Sequence, residues 1–205
     1  MTTDGPGLRE QKKAATRDAL SFAALRLAVE RGLENVRVED IASAAGVSPR
    51  TYNNYFSSKA EAIMSRLSDR IHRIAGCLRA RPTTEPLWEA LTHSVLLPFE
   101  NAVEQPEPQW TAGVRLLLHE PTLRGELARA TVESEAALVA AVATRTGTDP
   151  VRDLYPKLVA AATLAALKAA TDQWLLAEPT VPMRPLLREA LGLVAAGLPD
   201  PSSST

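Results

Sequence analysis

Apolar positions along this chain recur every three or four residues, without the sustained alternation of a strand. Ala19, Phe22, Ala23 and Leu27 fall at helical spacing after Leu8, and Arg31-Gly32 closes the run. A short helix is predicted from Val38 to Ala45, stopped by Gly46. Ser48-Pro49 starts another, with Ser48 as N-cap and Pro49 at the first helical position, and Phe56-Ser57-Ser58 breaks it. From Lys59, the residues Ile63, Leu67, Ile71, Ile74 and Leu78 share one stripe until Pro82. Prolines and Gly147 then separate helices predicted near 85–104, 108–119, 121–145, 151–177 and 183–198, with Pro98 and Pro156 kinking or delimiting theirs. The pattern predicts an all-α fold of about nine helices, without internal repeats.

Composition agrees with this. Hydrophobic residues make up 45%, enough to bury a core, while aromatics are only 4%. The net charge of -1 does not by itself suggest a polyanion partner, but its distribution does. Residues 1–80 hold 13 Lys and Arg against 9 Asp and Glu; the remainder holds 10 against 15. Only the front half has a basic balance to offer a polyanion. The single cysteine, Cys77, excludes an intrachain disulfide and a thiolate metal cluster. The start of the chain lacks a secretory apolar core, and the apolar stretch from Leu158 to Leu167 is too short to span a bilayer. A cytoplasmic protein without membrane contact is therefore expected.

Residues 38–57 have the spacing of a helix-turn-helix. Ala42 is small where two helices must cross closely. Gly46, four residues on, suits a turn with positive φ. Ile41 and Val47 supply an apolar seam, and the Ser48 cap leaves the next helix's N-terminal amides facing phosphate. That helix offers Arg50, Thr51, Tyr52 and Asn54, with Tyr55 beside them, as groups that reach base edges or phosphates. An ordinary helical hairpin also contains Ala-x-x-x-Gly; the capped second helix, its polar outer face and the helix restarting at Lys59 are the additional features.

The run Val36-Arg37-Val38-Glu39-Asp40-Ile41-Ala42, through Ala45-Gly46-Val47-Ser48, to Thr51-Tyr52-Asn53-Asn54-Tyr55-Phe56-Ser57-Ser58-Lys59 resembles the DNA-binding signature of the TetR family. The resemblance covers roughly residues 10–65. It implies a transcriptional repressor in which Arg50, Thr51 and Tyr52 lie in the major groove and Tyr55 and Lys59 clamp the backbone. Phe56 would pack inward and fix the recognition helix. Family members often have Thr at the position of Arg37, where it caps the second helix; Arg37 can instead pair with phosphate as a cation. Lys12, Lys13 and Arg17 either reach the DNA or form a solvated basic face.

On this reading the chain divides into a flexible arm (1–7), a helix-turn-helix domain (8–58), a linking helix (59–80), a regulatory and dimerisation domain (81–198) and a disordered tail (199–205). One short recognition helix reads few base pairs, so a palindromic operator and a homodimer are expected, with heads about 34–36 Å apart. The resemblance places the dimer bundle on the last two helices, with candidates Leu158, Ala162, Ala165, Ala169, Leu187, Leu191, Val194 and Leu198. Burial against their own domain is compatible with that role.

Family members also carry a small-molecule pocket that acts through the linking helix. Trp88, Leu91, Phe99, Trp110, Val114, Leu117, Leu118, Leu138 and Trp174 are candidate lining, with Arg115, His93 and His119 as polar anchors. Core packing is the commoner role for such side chains. An apolar lining suits a hydrophobic or amphipathic effector. The back half, with Trp110, Arg115, Leu123 and Glu133 followed by Tyr155-Pro156 and Trp174, looks similar to the subgroup that includes the mycofactocin-gene regulator, which hints at acyl-thioester ligands.

Catalysis finds no support. His72, His93 and His119 lack metal-ligand spacing, Cys77 is a lone thiol on an apolar stripe, and no nucleophile elbow, P-loop or dinucleotide fingerprint occurs. Neither a metal nor a cofactor is expected. The competing non-enzymatic reading is an all-helical small-molecule-binding or scaffold protein without DNA binding, which has no need of a polar face at residues 50–55.

Overall fold

A computed structural model describes residues 7–99, 111, 115, 119–177 and 181–200. Among them all regular structure is helical: α1 (Leu8–Arg31), α2 (Val38–Ala44), α3 (Pro49–Asn53), α4 (Lys59–Ala80), α5 (Leu87–Leu96), α6 (Pro121–Thr146), α7 (Leu154–Leu176) and α8 (Met183–Ala195). Two 3-10 turns, Leu33–Asn35 and Leu97–Phe99, complete the order. Of the helix predicted at 108–119, residues 111, 115 and 119 are helical and the others lie outside the described residues, as do residues 1–6 of the expected arm and 201–205 of the expected tail.

Local chemistry sets the helix ends. Gly32 takes φ of 80°, and its amide donates to the Ala28 carbonyl, closing α1. Pro121 opens α6, contributing no amide where a helix has no partner for one. Pro156 sits in the first turn of α7, where it delimits the helix rather than kinking it.

The chain folds as two compact units. The first comprises residues 1–67 and 113–130; the second comprises 68–112 and 131–205. In the first, α1 packs on α2 and α2 on α3. Leu20, Ala24, Leu27, Ile41, Ala42, Tyr52, Phe56 and Ile63 are buried in its core, joined by Leu123 and Ala130 from α6. In the second, α7 packs along α8, and α8 also packs on α5. Ile71, Ile74, Leu78, Leu91, Leu138, Ala160, Leu187 and Leu191 fill that core. Arg145 fixes one edge of it by donating to the carbonyls of Arg81, Pro82 and Glu85 at 3.2, 2.6 and 2.6 Å.

Candidate nucleic-acid interface

The turn between α2 and α3 determines where the second helix points. Gly46 has φ of +69°, with nothing near the position of an added Cβ. Glycine is therefore required by conformation, not by space. The Gly46 amide donates to Ser43 and the Val47 amide to Ala42, a Schellman closure that satisfies the last carbonyls of α2. Ile41 and Ala42 are fully buried and Val47 packs against the same core, as the seam requires. Arg37 makes no side-chain cap, since a guanidinium has no acceptor. The Asp40 carboxylate takes the other half of that role, accepting the Arg37 amide at 3.0 Å.

Ser48 caps α3 by accepting the Thr51 amide at 3.1 Å, and its hydroxyl also pairs with that of Thr51. Helix α3 is then sharply two-sided. Pro49, Arg50, Asn53 and Asn54 are exposed, and Thr51 and Tyr55 are half-buried. Asn53 was not singled out by the sequence pattern; it lies three residues after Arg50 and shares its face.

Two expected DNA contacts are placed differently. Tyr52 does not face outward: it is 0% exposed, tilted against Phe56 with ring centroids 5.8 Å apart, and its hydroxyl donates to the Ser58 carbonyl at 2.9 Å. Burial, aided by the nearby Glu61 charge, pushes its phenol up to about 12. The reason is register: Phe56 follows α3, but its amide donates to the Tyr52 carbonyl at 3.0 Å, which continues the helical spacing and turns both rings inward. Lys59 is also turned to structural use. Its Nζ donates to the carbonyls of Leu33 and Val36 at 2.8 and 2.6 Å, tying the start of α4 to the 3-10 turn.

The link between α3 and α4 is held from several sides. Ser58 accepts the Glu61 amide, and Glu61 accepts both the amide and the hydroxyl of Ser57 at 2.8 and 2.7 Å. The Glu61 carboxyl lies below the usual range: desolvation opposes the shift, but the two Ser57 bonds and the Arg129 and Arg17 charges outweigh it. The Arg17 guanidinium stands 4.7 Å from the Phe56 ring centroid, so it braces the head from α1. Lys12 and Lys13, one turn earlier, are exposed.

Residues 22–62 match the model of the bacterial regulatory proteins of the tetR family, and residues 85–199 match the MftR C-terminal domain. The chain belongs to the TetR family. The regulator TcmR of Streptomyces glaucescens is 31% identical over 185 residues, covering 87% of this chain and 81% of that protein. A Mycobacterium tuberculosis protein that carries the name mycofactocin biosynthesis transcriptional regulator MftR is 28% identical over 188 residues, covering 92% and 93%. A crystal structure of Thermus thermophilus FadR in complex with lauroyl-CoA shares the fold at a TM-score of 0.55 and 19% identity, covering 92% of this chain and 98% of that one.

As a TetR-family transcriptional regulator, the chain joins a helix-turn-helix to a ligand-binding C-terminal region and is not an enzyme. No helix among the described residues is long and apolar enough to cross a membrane. Among the pocket candidates, Leu91, Phe99 and Leu138 are buried in the second unit's core, Trp88 packs against it, and Trp174 is half-buried. The Arg70 guanidinium lies 4.6 Å from the Phe99 ring centroid. Arg115 and His119 fall instead in the first unit, and His93 is exposed in the second. The Nε of Arg115 is buried without a partner among the described residues. Trp110, Val114, Leu117 and Leu118 lie outside them.

The dimer candidates also separate. Leu158, Ala165, Ala169 and Leu198 are exposed, and Ala162 and Val194 are intermediate. Leu187 and Leu191 are each 1% exposed, because their stripe packs on α5 and α7 of their own chain. They are core residues, not surface available to a partner.

Proposed function

We propose that this chain is a homodimeric repressor that binds a palindromic operator and releases it when a small hydrophobic or amphipathic molecule occupies the C-terminal domain. The observation that carries the reading is the division of α3. Arg50 and Asn53 on α3 and Asn54 at its C-cap are exposed, while Tyr52 on the same helix and Phe56 just beyond it are buried in the core. Arginine pairs bidentately with guanine and asparagine with adenine in the major groove, so these residue types suit base readout. Arg37, Ser48, Pro49, Thr51 and Tyr55 flank them as phosphate and groove contacts, and the remaining Lys59 donor is directed to phosphate.

Dimerisation follows from the length of α3, since one five-residue helix reads too few bases for useful specificity. Exposed Leu154, Leu158, Ala165, Ala169 and Leu176 form a stripe on α7 suited to a second copy. The MftR-type C-terminal match, with the lauroyl-CoA bound by the T. thermophilus neighbour, supports an acyl-thioester effector.

Selection of duplexes from a randomised library by the full chain tests this. A two-fold symmetric site is expected, with affinity falling steeply with salt and weakened on adding lauroyl-CoA. Recovery of no duplex overturns the repressor reading. A site insensitive to lauroyl-CoA and to shorter acyl-CoAs overturns the acyl-thioester assignment alone.

A further inference from the structure

The reading head contains a component that its own stretch of sequence does not supply. Residues 113–130 belong to the first unit. Leu123, 1% exposed, and Ala130 are buried in the core that holds Tyr52 and Phe56, and Leu127 packs against it. The first turns of α6 are therefore built into the head alongside α1–α3. Above this apolar seat the head has a polar groove of about 380 Å³, lined by residues 53–57, Glu61, Glu126 and Arg129. Arg129 is held by Glu126, whose Oε2 accepts from Nε at 3.0 Å and Nη2 at 2.9 Å. Glu61 holds Ser57, in the short link that joins the recognition helix to α4.

We propose that Arg129 and Glu61 are positioning residues for DNA reading: α6 presents Arg129 to the groove it shares with Glu61, and Glu61 fixes the Ser57 link that sets the angle of α3. The Arg129 charge adds to the two Ser57 hydrogen bonds in favouring the Glu61 carboxylate in the shared groove, so the acceptor that holds Ser57 is seated from α6 as well as from α4. Neither residue need touch DNA. The inference rests on the repressor reading for its consequence, but its mechanical half stands without DNA. A pure helix cap is the competing role for Glu61, because Ser58 accepts its amide at the start of α4. A cap has no need of Arg129, and that difference can be measured.

The test compares the full chain with its Arg129→Gln, Arg129→Lys and Glu61→Gln variants. Hydrogen–deuterium exchange is followed at residues 53–58 and, as an internal control, at residues 20–28 in the core of α1. Affinity and its salt dependence are measured on the duplex selected by the wild-type chain. Arg129→Gln and Glu61→Gln are expected to speed exchange at 53–58 several-fold while 20–28 stays protected. Binding should weaken by roughly tenfold, as for a coupled neighbour, with the salt slope unchanged, and Arg129→Lys should restore both.

Unchanged exchange at 53–58 in Arg129→Gln overturns the proposal. So does equal acceleration at 20–28, which marks a general structural role. A salt slope reduced by about 0.9 in Arg129→Gln also overturns it, because that is the loss of one direct phosphate contact. If the wild-type chain selects no duplex, the repressor reading fails, while the exchange comparison still decides whether Arg129 and Glu61 hold the link.

Discussion

The hydroxyls of Ser21 on α1 and Ser65 on α4 share a buried 2.7 Å hydrogen bond. Two protons serve three contacts: whichever hydroxyl donates across the pair, the other donates to a carbonyl of its own helix, Ser21 to Arg17 at 3.0 Å or Ser65 to Ala62 at 2.8 Å. Removing one hydroxyl therefore leaves the other satisfied. Ser21→Ala or Ser65→Ala should each cost only about 1 kcal/mol in urea unfolding. The double variant should cost about the same as either single one, since both remove one shared bond. Strictly additive losses would mean that the bond does not form in solution.

Tyr52 and Arg50 are two residues apart on α3 and should fail in different ways. Tyr52→Phe keeps the ring and loses only the bond to Ser58, so stability should drop by about 1 kcal/mol while the operator affinity of the folded protein is retained. Arg50→Ala should leave stability within about 0.5 kcal/mol and weaken operator binding at least tenfold. Loss of operator affinity in folded Tyr52→Phe would place that hydroxyl on DNA after all.

Alkaline pH offers a separate check on the buried phenol. The folded value is about 12 against an ordinary 10.0. Below pH 10 both states hold the proton and the contribution is complete. Between 10 and 12 the unfolded chain releases it first, so stability falls as pH rises. The stability of wild type relative to Tyr52→Phe should thus fall by about 1–3 kcal/mol across that window, enough to cancel or reverse the wild-type advantage. A difference independent of pH would show that the phenol is solvated.

Arg145 is a stronger tie. Its three bonds to Arg81, Pro82 and Glu85 close the connection between α4 and α5. Arg145→Ala should lower the unfolding free energy by about 1.5–3 kcal/mol. Arg145→Lys should recover only part, because an ammonium cannot reproduce the planar fork. Full recovery by lysine would show that charge alone suffices.

The exposed and buried stripes of the last two helices separate association from folding. Leu158→Arg should give a folded monomer by sedimentation, with operator affinity down by roughly 100-fold as bivalency is lost. Leu187→Ala should instead unfold the chain more easily by about 2–5 kcal/mol, as a core truncation. A dimer that survives Leu158→Arg would move the interface off α7.

Much of this architecture was legible because its signals are local. Gly32, Gly46, Ser48 and Pro121 end or begin helices through their own backbone chemistry, and the structure has them in those roles. The MftR-like character of the back half could also be read from its sequence. Long-range choices could not. The stripe through Leu187 and Leu191 announced burial, but no periodicity says against which helix. Lys59 reaches carbonyls more than twenty positions earlier, and Leu123 joins a core built from the chain's first 67 residues. The inward turn of Tyr52 was within reach: four-residue spacing from Phe56 places both on one face. Its polar hydroxyl disguised a core residue as a reader.

The two-sided recognition helix has an evolutionary consequence. Arg50, Asn53 and Asn54 are exposed and outside the core, while Tyr52 beside them is sealed within it. Substitutions at Arg50, Asn53 and Asn54 should thus cost under about 0.5 kcal/mol of stability, as other open surface positions do. A duplicated gene could drift to a new target site by changing those letters alone, without passing through an unfolded intermediate.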